Sequence, residues 1–123
     1  MKYGNRKTVV DGIEFDSAKE ARRYSELKLL QRAGRISDLQ LQKEFVLIPA
    51  QYETFERYGK TGKRLQDGKR CIEKSCVYKA DFCYVQDGQL IVEDTKSRAT
   101  KTKDYIIKRK LMLWVHGIKI SEI

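Results

Sequence analysis

Two runs rich in β-branched and aromatic residues, 77–85 and 89–96, are joined by Asp87-Gly88. Asp-Gly suits a two-residue type I′ turn, because both central positions need a positive φ. With these two residues at the centre of the turn, facing residues have numbers that sum to 175. Val85 then faces Leu90, Cys83 faces Val92, Asp81 faces Asp94 and Lys79 faces Lys96. Side chains alternate along a strand, so these eight share one face, apolar near the turn and charged at the far end.

That charged end needs a reason. Opposed residues have Cβ atoms roughly 5 Å apart, and like charges there oppose folding. Two carboxylates about 4 Å apart repel by roughly 4 kcal/mol at an effective dielectric near 20. The pair is tolerable if one carboxyl stays protonated, if lysines neutralise it, or if a divalent cation sits between the two. All-oxygen ligands favour a hard ion such as Mg²⁺. Taken singly, Asp81, Asp94 and Lys96 each read as part of a surface ladder of alternating charge; together they are harder to explain so. Glu93 alternates to the opposite face and reads as a structural or ion-pairing residue.

The rest of the chain supplies a frame. Ser17 and Glu20 have capping-box spacing and start a helix that runs to about Arg32, stopped by Gly34. Glu20, Tyr24 and Leu27 share a stripe of that helix, which aims the Glu20 carboxylate at the sheet. Phe45 to Pro49 reads as a short strand, and 53–75 as a basic hairpin tip or mobile loop containing Gly59, Gly62 and Gly68. A second helix spans about Lys101 to His116, with Ile107, Leu111, Trp114 and Val115 as its apolar face and Gly117 as its end. Ile118 to Ile123 alternates as a last strand. The order αβββαβ predicts one α/β (α+β) domain over 1–123, a small mixed sheet flanked by helices, with an insertion at about 53–75.

Charge narrows the partner. The net charge is +9, and it is uneven: 57–74 hold seven Lys/Arg against two acids, 96–110 hold seven against one, and 75–95 are net acidic. Basic segments on both sides of an acidic strand pair suit a polyanion with negative charge kept at one spot in its footprint. Lys60, Lys63, Arg64, Lys69 and Arg70 in the insertion, and Arg98, Lys101 and Lys103 before the second helix, are the expected DNA contacts. Tyr52, Phe55 and Tyr58 at the base of the insertion suit base stacking. The three cysteines, Cys71, Cys76 and Cys83, fit free thiols in a reducing cytoplasm and lack zinc-site spacing. His116 reads as a packed or capping histidine. No apolar stretch reaches the length of a membrane span and no signal peptide is evident, so a cytoplasmic protein is expected.

The segment "YKADFCYVQDGQLIVEDTKS" resembles the core of the PD-(D/E)XK nuclease superfamily, in which one strand supplies Asp and the next supplies (D/E)-x-K. The matching positions are Asp81, Asp94 and Lys96, and "FDSAKEARRY" is similar to the first helix of those nucleases, with Glu20 as its acidic residue. Ala80 stands where the name-giving pattern has Pro. Over nearly its whole length the chain also resembles a small phage and prophage family, catalogued mainly as a domain of unknown function and suspected of endonuclease activity. The resemblance implies a restriction-endonuclease-like core and Mg²⁺-dependent hydrolysis of phosphodiesters, with Mn²⁺ able to replace Mg²⁺. Asp81, Asp94 and the Thr95 carbonyl would hold the ion, Glu20 would complete the shell or hold a second ion, and Lys96 would act on the attacking water or the transition state. The substrate expected is branched DNA, as for a Holliday-junction resolvase in phage recombination or replication, cut by a homodimer. A monomeric nicking or end-processing nuclease and a non-catalytic DNA-binding accessory protein are the alternatives.

Overall fold

The computed structural model describes residues 7–97 and 100–123. Along the chain lie β1 (Thr8–Val10), β2 (Ile13–Phe15), α1 (Ala18–Arg32), β3 (Ser37–Ile48), β4 (Gln51–Tyr58), β5 (Arg64–Glu73), β6 (Cys76–Gln86), β7 (Gln89–Asp94), α2 (Lys103–His116) and β8 (Ser121–Glu122). The central sheet has the order β3-β6-β7-β8, antiparallel except for β8, which runs parallel to β7. β1–β2 and β4–β5 are separate two-stranded hairpins. Without those hairpins the order is helix, strand, strand, strand, helix, strand, in an α+β fold.

Local chemistry explains the boundaries. The Ser17 hydroxyl accepts the Glu20 N–H at 3.1 Å, capping α1, and Gly34 follows the helix at φ 75°. Thr102 caps α2 by accepting from the Tyr105 N–H, and Gly117 closes it in the left-handed region. Asp87 and Gly88 both have positive φ, and the ladder pairs Phe82 with Glu93, Cys83 with Val92 and Gln86 with Gln89, the expected register.

Two helices cover the sheet, one on each face. α1 packs Ala21, Tyr24 and Leu27 with Phe15, Ile36, Phe82 and Tyr84. α2 packs Tyr105 and Met112 with Phe45, Leu47, Tyr78, Ala80, Cys83, Val92 and Ile120. The even-numbered side chains of β6 therefore face α2 at Tyr78 and Ala80 but α1 at Phe82 and Tyr84. β3 makes the same change, with Leu39 and Leu41 on the α1 side and Phe45 and Leu47 on the α2 side. Leu41 pairs with Phe82 and Lys43 with Ala80, so the pivots are the facing residues Gln42 and Asp81. Gln42 takes φ 54°, an unfavourable region for a residue with a Cβ.

Several expectations need correction. β3 begins at Ser37, well before Phe45, and of the two readings of 53–75 the hairpin holds, as a ribbon whose strands span Gln51–Tyr58 and Arg64–Glu73. The β1–β2 hairpin was signalled by Asp11-Gly12, both at positive φ, and was not foreseen. Ile107 and Val115 point to solvent, and Trp114 is 86% exposed. The inward face of α2 is Tyr105–Arg109–Met112, because Tyr105 and Arg109 both bind Glu122 on β8 and fix the rotation of the helix. Lys79 does not face Lys96: its partner is Glu44 at 4.0 Å, while Lys96 has left the β6 ladder and donates its N–H to the Ile123 carbonyl.

Glu93 is the buried anchor between α1 and the sheet. It is 2% exposed, receives Nε and Nη2 of Arg23 at 2.8 and 2.6 Å, and accepts from the Tyr84 hydroxyl. Removing the cation leaves a desolvated carboxylate, so Arg23→Leu is expected to cost about 3–5 kcal/mol in urea unfolding at pH 7. A loss below about 1 kcal/mol would mean that the pair does not hold α1 down.

Candidate active site

The pivot in β6 decides where Asp81 goes. Ala80 and Phe82 are buried on opposite faces, and Asp81, between them, is committed to neither core and only partly buried. Its Oδ2 accepts the Thr95 N–H at 2.9 Å and the Thr95 hydroxyl at 2.8 Å, and Gln42 Nε2 approaches Oδ1 at 3.4 Å. Thr95 thus orients Asp81 across the hairpin end. Asp94, the last residue of β7, is 3% exposed on the α2 face. The Tyr78 hydroxyl donates to its Oδ2 at 2.5 Å, and Lys96 Nζ lies 3.3 Å from Oδ1.

Lys96 is held from four directions. Its N–H binds the Ile123 carbonyl, its own carbonyl accepts from Lys19 Nζ at 3.4 Å, its ammonium reaches Asp94, and that ammonium lies 4.4 Å from the Tyr105 ring centroid. Glu20, 6% exposed in the first turn of α1, completes the group. Two open clefts adjoin it. One of about 70 Å³ is lined by Ser17, Lys19, Thr95, Lys96, Ser97 and Thr100; the other, of about 190 Å³, runs past Phe15, Asp16, Glu20 and Gln42.

Electrostatics tie the three carboxylates together. Glu20 is pushed up to about 7, first by burial, then by the charges of Asp81, Asp16 and Asp94, with a hydrogen bond from the Asp16 backbone opposing. Asp94 is pushed up to about 6, again first by burial; Tyr78 pulls it down, Asp81 raises it by charge and contact, and Lys96 lowers it. Both carboxyls feel Asp81, and the cluster holds more negative charge than its single lysine offsets. Tyr78 and Tyr105 are raised by burial and by their carboxylate partners, which keeps both phenols protonated as donors.

Among the described residues no three His, Cys, Asp or Glu side chains surround one point closely enough to hold a metal by themselves. A Mg²⁺ site makes a smaller demand, one or two carboxylates with water and substrate oxygens filling the rest. Asp81 and Asp94 meet that demand: the two carboxyls touch, Oδ1 of Asp81 has the long Gln42 contact, and Oδ1 of Asp94 has the lysine. The Thr95 carbonyl is the next oxygen along the chain, and Glu20 lies within electrostatic reach of both aspartates. The donor set is all oxygen and carries excess negative charge, which fits a hard divalent cation.

The basic residues separate into used and free. Arg64 pairs with Asp67, Arg70 with Glu53 and the Phe55 ring, and Lys69 lies over Tyr52. Lys101 binds Glu122, which Tyr105, Lys101 and Arg109 together lower to about 2, so Lys101 is a structural cation here. Lys60, Lys63 and Lys103 are exposed, and Arg98 lies outside the described residues. His116 is exposed but tied down on one side, with Nε2 2.7 Å from the Val46 carbonyl oxygen and its ring edge-on to Phe45. Sequence reasoning missed Tyr78, Tyr105 and Gln42. Tyr78 carried a readable signal: it precedes Asp81 by three residues, but regular alternation puts the two on opposite faces, and only the pivot lets both approach Asp94.

The raised carboxyls make stability depend on pH. Glu20 has an ordinary value of 4.5 and a folded value of about 7, so the folded state holds an extra proton between them. The associated stability is complete below about pH 4.5 and is lost as pH rises through 7; Asp94 behaves likewise between 3.8 and about 6. Glu20→Gln is therefore expected to stabilise the metal-free protein at pH 7.5 by up to about 3 kcal/mol and to change little at pH 4. Urea unfolding in EDTA at both pH values measures this, and equal effects at the two would refute the repulsion.

No curated protein and no solved structure matches the chain. A family model described as "Protein of unknown function (DUF1064)" matches residues 1–117, and the chain belongs to that family.

Proposed function

We propose that the protein is a Mg²⁺-dependent DNA endonuclease acting on branched DNA, in the manner of a Holliday-junction resolvase. The observation that carries this reading is the meeting of Glu20, Asp81 and Asp94 beside Lys96, with the excess negative charge that raises Glu20 and Asp94. The helix-strand-strand-strand-helix-strand order agrees with the nuclease superfamily whose motif Asp81, Asp94 and Lys96 resemble.

Asp81 and Asp94 would hold Mg²⁺, which when bound would supply Lewis-acid stabilisation of charge at phosphorus. The chain's own groups do the rest. Thr95 holds the Asp81 carboxylate in place, and the Tyr78 hydroxyl keeps Asp94 ionised. Lys96 stands with its ammonium between Asp94 and the Tyr105 ring, where it orients the attacking water or stabilises the negative charge on phosphorus. Water adds to phosphorus, the bond to one ester oxygen breaks, and that oxygen leaves with a proton. Two cuts across a junction need two sites, hence a homodimer.

Cleavage of junction, flap, nicked and linear DNA with Mg²⁺ or Mn²⁺ tests the reading. Asp81→Asn is expected to lower the rate by at least about 10²-fold while leaving binding in EDTA intact. Undiminished cutting would remove Asp81 from the site. Binding without cutting by the wild type would identify an accessory protein, and cutting of nicked or linear ends alone a monomeric processing enzyme. Tyr78→Phe removes the donor that lowers Asp94, so the acidic limb of the pH–rate profile is expected to move to higher pH. An unmoved limb would show that Asp94 does not control it.

A further inference from the structure

We propose that the β4–β5 ribbon is an arm that enters the major groove of a DNA duplex, with Arg57, Lys60 and Lys63 at its tip on the phosphates. This rests on the reading of the chain as a DNA-acting protein and names the form of DNA that the arm grips.

The ribbon stands apart from the core. β4 and β5 make their own two-stranded sheet, and every residue of 51–75 except Gly59 and Gly68 is exposed. A two-stranded hairpin alone in water is marginal. This one is stiffened by its own side chains: Lys69 lies 4.4 Å from the Tyr52 ring centroid, Arg70 lies 4.6 Å from that of Phe55 and 3.5 Å from Glu53, and Tyr58 donates to Glu56 at 2.6 Å. Phe55 lies across the backbone of Gly68, where any Cβ would overlap the ring. Tyr52 and Phe55 thus each give a ring face to the shaft, and Tyr58 is tied to it through its hydroxyl. A stacking platform for single-stranded bases, which Tyr52, Phe55 and Tyr58 had suggested, needs free ring faces.

The tip is built differently. Residues 57–64 hold four basic side chains and no acid. Gly59 N–H binds the Lys63 carbonyl at 2.8 Å and Gly62 N–H the Gly59 carbonyl at 3.0 Å, closing the turn. Arg64 turns back to Asp67, but among the described residues no ion pair or hydrogen bond engages the side chains of Arg57, Lys60 and Lys63. Three free cations at the end of a rigid ribbon match a phosphate-lined groove. The major groove of B-form DNA, about 12 Å wide, admits a two-stranded ribbon; the deep, narrow groove of duplex RNA does not. β4 alone gives roughly 25 Å of reach. From Asp81 down β6 and β5 to Arg64 at the tip the contour is roughly 55 Å, about one and a half turns of DNA.

The test compares wild type with Arg57→Ala/Lys60→Ala/Lys63→Ala in EDTA, where binding is read apart from cutting. Probes are a 30-base-pair DNA duplex, the corresponding single strand and an RNA duplex of the same sequence. The variant is expected to keep its melting temperature, to bind duplex DNA about tenfold more weakly at 150 mM salt, and to lose about 3 from the slope of log K against log salt. Lys60→Gln/Lys63→Gln is expected to lose about 2. Wild type should protect guanine N7 of the DNA duplex from dimethyl sulfate, and the variant should not. Unchanged duplex affinity and slope, protection of adenine N3 in place of guanine N7, or equal losses on single strand or RNA would each overturn the proposal. If wild type cuts DNA with Mg²⁺ yet shows no N7 protection, the arm is refuted and the nuclease reading stands. If it protects N7 but never cuts, the arm stands and the nuclease reading falls.

Discussion

The change of face at Gln42 and Asp81 is the constraint on which the site depends. A regular strand would carry Ala80 and Phe82 on the same side of the sheet and bury them against one helix. Here they serve opposite cores, and the residue between them belongs to neither. A carboxylate in place of Ala80, Phe82 or Tyr84 would be buried under α1 or α2, at a cost of several kcal/mol unless it found partners. At the pivot it is reached by Thr95, Gln42, Asp94 and Glu20 from both layers. The positive φ of Gln42, a residue less suited to that region than Asp11, Asp38 and Asp87, which share it, is backbone strain placed at the pivot.

Neighbouring residues of β7 show how the fold distributes its buried charge. Glu93 and Asp94 are both almost wholly enclosed, on opposite faces. Glu93 meets a guanidinium in bidentate geometry and a phenol, so its charge is matched and it acts as a fastener. Asp94 meets a phenol and an ammonium at 3.3 Å, but also another carboxylate, with a third nearby. Matched charge is what a structural ion pair needs. Unmatched charge is tolerable only where a proton or a cation is expected to arrive.

Much of this was legible in the sequence because it depends on local rules. Asp87-Gly88 sets the hairpin register, and Ser17 with Glu20 sets the start of α1, through contacts spanning a few residues. The pivot was not legible, since alternation assumes a strand that keeps its faces, and only the two packed helices reveal that β6 does not. The inward face of α2 was misread for a related reason. Periodicity counts apolar residues, whereas the rotation of α2 is set by Tyr105 and Arg109 reaching a carboxylate on β8 that lies far along the chain. Glu93, by contrast, follows from alternation alone, because β7 is regular throughout. The basic residues were visible as a group, but which were free depended on ribbon pairing: Arg64 and Arg70 find acids within the hairpin, and Arg57, Lys60 and Lys63 do not.

The same two strands connect arm and site. β3 and β6 carry the pivot, and beyond Ile48 and Cys76 the chain continues through Pro49 and Ser75 into β4 and β5. Pro49 lacks the N–H needed to continue the ladder, so pairing breaks there and resumes at Gln51 with Glu73. Such a break lets the ribbon leave the plane of the sheet while remaining covalently continuous with it on both strands. A flexible tether would give the tip cations no fixed distance from the carboxylates, and binding energy gained at the tip would do nothing to place a phosphate at Lys96. A ribbon braced by its own rings fixes that distance, so under the proposed function contact made at the arm would be converted into position at the site.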